Sequence, residues 1–325
     1  MELMDSTGRK IDYLRISLID RCNLRCSYCM PPQGVDLFGH DKVMTYEELA
    51  VVVKGVSELG ISSIRLTGGE PLIRKGLIPF VKLISSMEGI NDISLTTNGV
   101  MLEEMAKSLK NAGVNRLNIS LDTLKREKYK KITGKDCLDL VLKGIDKSIE
   151  LGFEPIKINT VLLKDENVDE ILDFVHMTLQ KPIHIRFIEM MPLGKSTDNW
   201  KHSYIPWTYP LEVIKEKYEV EGVHGPTGKG PAKYFKLPNS KGTFGVISAV
   251  SEHFCANCNR LRLTSDGKLK TCLFGKGEVD LRKVIQTGTV QDVKRAIVEA
   301  VKNKPLGHDI NSDTTTHRSM WQIGG

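Results

Sequence analysis

Apolar runs of strand length alternate with helix-like segments in the first part of the chain, and this alternation limits the possible folds most strongly. The strand-like runs cover residues 11–18, 61–66, 93–95, 114–119, 156–162 and 183–189. Between these runs, apolar residues recur at the spacing of an amphipathic helix. The alternation predicts a parallel sheet flanked by helices, either a doubly wound sheet or a barrel.

Polar residues at the carboxyl ends of the strands favour the barrel. They are Thr67, Thr96, Ser120 and Glu189. In parallel barrels this end is the face on which sites are built, and six units leave a barrel open on one side. We therefore predict an α/β fold with an incomplete (βα)6 TIM-type barrel, residues 1–195. A smaller C-terminal α+β domain, residues 196–325, is predicted to cover the open side.

The C-terminal part of the sequence has a different pattern. Antiparallel strands are predicted at 234–237 and 243–250, with two closing helices at 279–286 and 290–301. The Gly- and Pro-rich run 225–231 lacks the spacing of a nucleotide-binding P-loop and is interpreted as a mobile loop and nothing more. Residues 312–325 show no periodicity and are predicted to form a mobile tail.

Three cysteines near the N-terminus, Cys22, Cys26 and Cys29, lie close enough in sequence to face one metal centre. A zinc site would need a fourth protein ligand, and the nearest His or Cys beyond them is His40. A four-iron cluster on three thiolates leaves one iron open and can deliver low-potential electrons to a bound ligand. With the aromatic Tyr28 before the last cysteine, the C-x3-C-x2-C spacing resembles the signature of radical S-adenosylmethionine (SAM) enzymes.

A second triad consists of Cys255, Cys258 and Cys272. A hairpin turning at 265–267 would bring Cys272 back to the other two, and zinc with His253 as a fourth ligand fits this spacing equally well. Arg260 and Arg262 alternate with leucines, so both arginines should point to one side of a strand. They form either a solvated face or a phosphate clamp, since guanidinium groups match phosphate oxygens.

Composition excludes some classes of protein. A net charge of +6 suits an anionic ligand, but 6% aromatic residues and no basic run give little support for a nucleic-acid surface. The polar N-terminus is no secretory signal, and no apolar run approaches membrane-spanning length. The chain has seven cysteines, an odd number, and all but Cys137 lie in two clusters whose spacing is typical of metal sites. This pattern indicates a reducing compartment. We therefore expect a cytoplasmic protein without a nucleic-acid or membrane partner.

Several motifs together resemble the GTP 3',8-cyclase family (molybdenum cofactor biosynthesis protein A) of radical SAM enzymes. They are the first cysteine triad, the turn Thr67-Gly68-Gly69-Glu70-Pro71, Cys255-x2-Cys258-Asn259-Arg260-x-Arg262, and the terminal Ile323-Gly324-Gly325. The resemblance implies a 4Fe–4S cluster on each triad, with SAM on the first. Such enzymes cyclise GTP to (8S)-3',8-cyclo-7,8-dihydroguanosine 5'-triphosphate through a 5'-deoxyadenosyl radical, which is the first step of molybdenum cofactor biosynthesis.

The resemblance also assigns residues. The implied SAM contacts are Tyr28, Gly69, Ser120 and Met191, and the implied GTP contacts are Arg15, Arg65, Thr96, Lys157, Arg186, Arg260 and Arg262. Gly324 and Gly325 are implied to be needed for activity. A basic residue often stands two positions before Arg65 in the family, but here that residue is Ser63. The fourth ligand of the second triad is left open between Cys137, His253 and the substrate, and Trp321 has no assigned role.

The implied partners are GTP, a flavodoxin- or ferredoxin-like electron donor, and the cyclic pyranopterin monophosphate synthase that takes the product. The protein would be a monomer or a homodimer. Two alternatives remain. One is another radical SAM enzyme with an auxiliary cluster, and the other is a zinc-stabilised nucleic-acid-binding protein.

Overall fold

The computed structural model describes residues 2–30, 35, 37–193, 200–228, 230–252, 254–307, 316 and 318–324. The predicted six strands are present and pair in parallel in chain order. They are β1 (Tyr13–Ser17), β2 (Ser63–Thr67), β3 (Asp92–Thr97), β4 (Arg116–Ser120), β5 (Ile156–Val161) and β6 (Ile183–Ile188). The α/β prediction is therefore confirmed.

Helices connect these strands and cover one face of the sheet. They are α1 (Tyr46–Glu58), α2 (Leu77–Ser85), α3 (Leu102–Ala112), α4 (Arg126–Thr133), α5 (Leu138–Glu150) and α6 (Ile171–Gln180). The predicted capping box at the start of α1 is present, because Thr45 and Glu48 each bond the other's backbone N–H. The sequence pattern did not reveal α4, which is a polar helix with three buried residues.

The C-terminal strands extend both edges of the same sheet. β10 (Arg260–Leu263) pairs in parallel with β1 and continues into β11 (Lys268–Lys270) and β12 (Val279–Asp280). At the other edge, β9 (Thr243–Ile247) pairs in parallel with β6 and continues into β8 (Lys233–Lys236) and β7 (Glu221–Val223). Both predicted antiparallel pairings are confirmed, and in the described part of the chain the sheet has twelve strands.

The remaining helices are α7 (Trp200–Ser203), α8 (Thr208–Lys215), α9 (Leu281–Thr287), α10 (Val290–Lys302) and α11 (Met320–Ile323). The last of these corrects the prediction of a tail without regular structure. Ser319 and Gln322 form a capping box, and Trp321 and Ile323 are buried, so an apolar contact holds this turn in place. None of the helices in the described ranges has the length and apolar character needed to span a bilayer.

Alternation along the strands separates an apolar face from a polar face. Leu14, Ile16, Ile64, Leu66 and Leu117 are fully buried in the main core together with residues of the helices. The positions between them therefore point to the opposite, inner face of the sheet, because successive strand residues alternate sides. On β1, β2 and β4 these inner positions are mainly charged or polar.

Candidate active site

A row of arginines crosses the inner face on neighbouring strands. Arg262 lies opposite Arg15, and Arg15 lies opposite Arg65. The row continues through Ser94 on β3 to Arg116 on β4. Residues in register share a face of the sheet, so the four guanidinium groups gather in one space. This confirms that Arg260 and Arg262 share a side opposite to Leu261 and Leu263, which are core residues.

Several arginines on the inner face have N–H groups that lack a hydrogen-bond acceptor. Among the described residues, Arg15 Nε, Arg186 Nε and Arg262 Nη1 are buried without an acceptor. Burial and the neighbouring Arg260 lower the pKa of Arg262 to about 10. Buried polar groups are normally paired, because leaving one unpaired costs about 1–3 kcal/mol. Unpaired cationic donors facing one space therefore indicate a site for an anion.

Lys157 and Arg186 enlarge this cationic space. Lys157 is 3% exposed and donates to the carbonyl oxygen of Thr227 at 2.8 Å. Its pKa is lowered to about 6 by burial and then by Arg186, Arg116 and Arg65. Arg186 Nη2 donates to Asn118 Oδ1 at 2.6 Å and also to Asn159. Thr96, with a buried hydroxyl that has no acceptor or donor among the described residues, lies on the next inner position after Ser94.

The loop that contains Thr227 closes over these cations. Its carbonyl oxygen also accepts from Arg116 Nη1 at 3.2 Å. A Cβ at Gly228 would overlap the Arg116 guanidinium, and the backbone there has φ +126°, so a larger residue would be strained and would displace Arg116. The described residues of this run form a loop, and Thr227 also contacts cationic side chains, which the sequence pattern did not predict.

The first cysteine loop is held by its backbone. Arg25 N–H and Ser27 N–H donate to the carbonyls of Thr133 and Ile132 at the end of α4, at 2.8 and 2.9 Å. Asn98, just after β3, donates to Asn23 Oδ1 at 2.7 Å and to Cys22 Sγ at 3.7 Å. α4 and Asn98 thus fix the loop that carries the thiols.

The Thr67-Gly68-Gly69-Glu70 turn packs directly on the strand that enters this loop. Gly69 N–H donates to Ile19 O at 2.6 Å, and Glu70 N–H donates to Arg21 O at 2.8 Å. A Cβ at Gly69 would overlap the Arg21 carbonyl. Gly69 is therefore required for contact with the chain's own backbone, in addition to any contact with a ligand.

Glu70 ties this turn to the end of β3. Its side chain accepts from Leu72 N–H at 3.0 Å, Thr97 Oγ1 at 2.7 Å and Asn98 N–H at 2.7 Å. Burial raises the pKa of Glu70 to about 7, against the effect of these bonds. Sequence reasoning quoted Glu70 in the turn but gave it no role. Its role is to link three segments around the cysteine loop.

The three thiols fit an iron–sulfur cluster. Burial, followed by the nearby charges of Asp122, Cys29 and Cys22, raises the pKa of Cys26 well above its usual value. All seven cysteines are free, so no disulfide competes for these sulfurs. The irons of a cluster would stabilise the charged thiolate form, which burial alone disfavours. In the described residues, no three His, Cys, Asp or Glu side chains lie close enough to hold a single metal ion.

Tyr28 and Ser120 lie on the same side as the thiols. Tyr28 donates its hydroxyl to Asp122 Oδ2 at 2.7 Å, and Asp122 also accepts from Val161 N–H at 2.9 Å. Asp122 follows β4 two residues after Ser120, the last residue of that strand. Burial raises the pKa of Asp122 to about 6. Sequence reasoning missed Asp122, although its place just beyond a strand end was a usable signal.

The C-terminal turn reaches between the two cysteine triads. The backbone N–H of Trp321 bonds the Cys29 sulfur, and Gly324 O accepts from Thr67 Oγ1 at 3.1 Å. Ile323 forms a small apolar cluster, whose other members are Met191, Leu193, Cys272, Leu273, Phe274 and Met320. The backbone of Trp321, which had no assigned role, thus helps to hold the first triad. Gly325 lies outside the described residues.

The second triad has a buried lysine beside it. Lys304 is 4% exposed and donates to the carbonyl of Arg260 at 3.0 Å and to that of Thr271. Burial alone would raise the pKa of Cys258, but Lys304 and Arg260 lower it below the usual value, which favours the thiolate. His253, a possible ligand, lies outside the described residues. Cys137 packs against the main apolar core and is close to Tyr129.

Comparisons with known proteins identify the family of this chain. The radical SAM superfamily matches residues 16–178, and "Molybdenum Cofactor Synthesis C" matches residues 183–310. A GTP 3',8-cyclase of Desulforamulus reducens is 46% identical over an alignment of 325 positions that covers 99% of this chain and 100% of the relative. One of Geobacter sulfurreducens is 44% identical over the full length of both chains.

The chain belongs to the GTP 3',8-cyclase family. It is therefore a radical SAM lyase that cyclises GTP in the first step of molybdenum cofactor biosynthesis, with SAM and 4Fe–4S clusters as cofactors. The solved structure of Streptococcus suis SuiB bound to precursor peptide SuiA has the same fold, with a TM-score of 0.64 at 13% identity. The match covers 96% of this chain and 76% of SuiB. Family membership decides against the two alternatives.

The docking of the tail predicts an effect at Gly324. This residue has φ +81°, and a Cβ would lie 2.7 Å from Thr67 Cγ2, so Gly324→Ala should be strained. Left-handed backbone costs a non-glycine residue roughly 1–2 kcal/mol, which lowers the docked population about 5- to 30-fold. GTP cyclisation should fall by a similar factor while iron content stays unchanged. Gly307→Ala is the control, because a Cβ at Gly307 meets no neighbour. Equal activity of the two variants would contradict a required docked tail.

The low pKa of Lys157 predicts proton uptake. Between its folded value of about 6 and the ordinary value of 10.5, Lys157 is neutral in the folded protein but protonated in the unfolded chain. This group therefore makes stability rise with pH across that window. Bound phosphate should restore the charge, so GTP binding at about pH 8 should take up about one proton. Calorimetry in buffers of different ionisation enthalpy measures this uptake. Lys157→Gln should abolish it, and an unchanged uptake in that variant would contradict the assignment.

Proposed function

We propose that the two substrates of the cyclisation meet on the inner face of the barrel, between the two cysteine triads. In this proposal Cys22, Cys26 and Cys29 hold the first cluster. Tyr28, Gly69, Ser120 and Met191 contact SAM. The observation that carries the proposal is the row of buried cations with unpaired donors, which leads from the second triad into the barrel.

The triphosphate of GTP is the anion that this row accommodates. Its proposed ligands are Arg15, Arg65, Thr96, Lys157, Arg186, Arg260 and Arg262. Arg262 lies within electrostatic reach of Cys258 and Cys272, so the cations continue up to the proposed second cluster. Charge-assisted hydrogen bonds to phosphate would satisfy donors that the protein itself leaves unpaired. Guanosine without phosphates would not satisfy them.

Each part of the site has a distinct task. With a four-iron cluster on the first triad and SAM bound to it, the site supplies the electron and the 5'-deoxyadenosyl radical that start cyclisation. The arginine row fixes the triphosphate, and that contact orients the ribose toward the first triad. The second triad, Cys255, Cys258 and Cys272, would hold a second cluster, and the purine would supply the ligand that these three cysteines leave open. Gly324, whose carbonyl accepts from Thr67 Oγ1, and Gly325 are the tail residues that activity requires.

The proposed domain division follows the same plan. Residues 1–195 form the radical SAM core, and residues 196–325 supply the second triad, Arg260, Arg262 and the tail. The two family matches, at 16–178 and 183–310, support a boundary in this region. The proposed partners are a flavodoxin- or ferredoxin-like donor and the synthase that consumes the product. The proposed state is a monomer or homodimer in the cytoplasm.

The decisive test uses reconstituted protein with SAM, a strong reductant and GTP. It should yield 5'-deoxyadenosine and the cyclised nucleotide. Cys26→Ala should lose about half the iron and all 5'-deoxyadenosine, because two thiolates do not hold the first cluster. Cys137→Ala is the matched control and should keep both iron and turnover. Cleavage of SAM at the wild-type rate by Cys26→Ala, or iron loss in Cys137→Ala, would contradict the assignment of the triads.

A further inference from the structure

We propose that Arg116 binds the triphosphate of GTP together with Lys157, as a phosphate ligand that no sequence motif identifies. The inference rests on the proposed GTP site and adds a residue to it. Arg116 is the first residue of β4 and is 4% exposed. It ends the row that runs from Arg262 through Arg15 and Arg65, with only Ser94 between it and Arg65.

Asp92 holds the guanidinium of Arg116 in a fixed orientation. Arg116 Nε donates to Asp92 Oδ1 at 2.7 Å, and Arg116 Nη2 donates to Asp92 Oδ2. This two-point contact uses one edge of the planar group and leaves Nη1 to point away from Asp92. The register neighbour of Asp92 on β2 is Ser63, which carries no charge. Arg116 therefore supplies a positive charge to a part of the inner face where β2 has none.

A single oxygen atom lies between Arg116 and Lys157. The carbonyl oxygen of Thr227 accepts from Arg116 Nη1 at 3.2 Å and from Lys157 Nζ at 2.8 Å. A phosphate oxygen in this position would receive the same two donors and would also carry charge, so its bonds would be stronger. The Thr227 carbonyl thus marks the place of one phosphate oxygen, and the loop must move aside for it.

A purely structural role for the Arg116–Asp92 salt bridge would not explain why this arginine lies among other cations. Arg116 lies near enough to Arg65 and Lys157 to lower the pKa of both, so it adds repulsion to a group of cations in which Arg15, Arg186 and Arg262 have unpaired donors. Asp92 compensates one positive charge and leaves the others. An anion with several charges turns this repulsion into attraction, since every cation then gains from the same ligand. The charge pattern accordingly favours a ligand role.

The test measures GTP and guanosine affinities of the reconstituted holoenzyme side by side. Arg116→Gln should weaken GTP binding about 10- to 100-fold, the effect of losing a charge-assisted bond, and should leave guanosine and SAM affinities unchanged. Arg116→Lys, which keeps the charge and is the more conservative change in a buried pair, should show a smaller loss that is still selective for GTP. Arg126→Gln is the control, because Arg126 is an exposed arginine paired with Asp136 and Asp139.

The Lys157→Gln variant distinguishes a failure of the inference about Arg116 from a failure of the proposed GTP site. If Lys157→Gln lowers the GTP-to-guanosine preference and neither Arg116 variant does, Arg116 is a structural partner of Asp92 and the inference is wrong. If no variant in the series changes this preference, the triphosphate binds elsewhere and the proposed GTP site itself fails. Equal losses for GTP and guanosine in the Arg116 variants would also overturn the inference, since they indicate general distortion.

Discussion

Uncompensated positive charge on the inner face of the sheet is the constraint on which the rest of this site depends. Placing Arg15, Arg65, Arg186 and Arg262 in one buried space is unfavourable, because like charges repel and charged groups are costly to bury. The apolar core on the opposite face supplies the stability that tolerates this arrangement. The protein thus keeps a space that is complementary to a polyanion before any ligand binds.

A second requirement is that two triads on distant parts of the chain face one space. The first triad is fixed by Glu70, Asn98 and the end of α4, all of which bond the backbone or neighbours of the cysteine loop. The second triad flanks β10 and β11, with Cys255 and Cys258 before β10 and Cys272 after β11, and β10 pairs directly with β1. The C-terminal turn joins both ends through the Trp321 N–H and the Ile323 cluster.

Local patterns were sufficient to predict the six strands, the capping box of α1 and both antiparallel pairings. They were also sufficient to predict that Arg262 lies on the face of its strand opposite to the neighbouring leucines, because alternation is a local property. Contacts between distant segments could not be predicted in this way. The hydrogen bonds from Lys157 and Arg116 to the Thr227 carbonyl depend on how the sheet brings together segments that are far apart in sequence. The burial of Trp321 depends on the same kind of contact. Arg116 could have been predicted, since it alternates with Leu117 and shares a face with Asn118 in a predicted strand.

The central claim is that the buried cations recognise the triphosphate more than the nucleoside. Thermal unfolding of the reconstituted protein with inorganic tripolyphosphate, GTP or guanosine tests it most directly. A ligand present at about 100 times its Kd stabilises by about 2.7 kcal/mol. At equal concentrations, GTP and tripolyphosphate should raise the Tm well above the shift given by guanosine, and the difference should shrink as salt is added. A guanosine shift equal to that of GTP, with none from tripolyphosphate, would contradict the account.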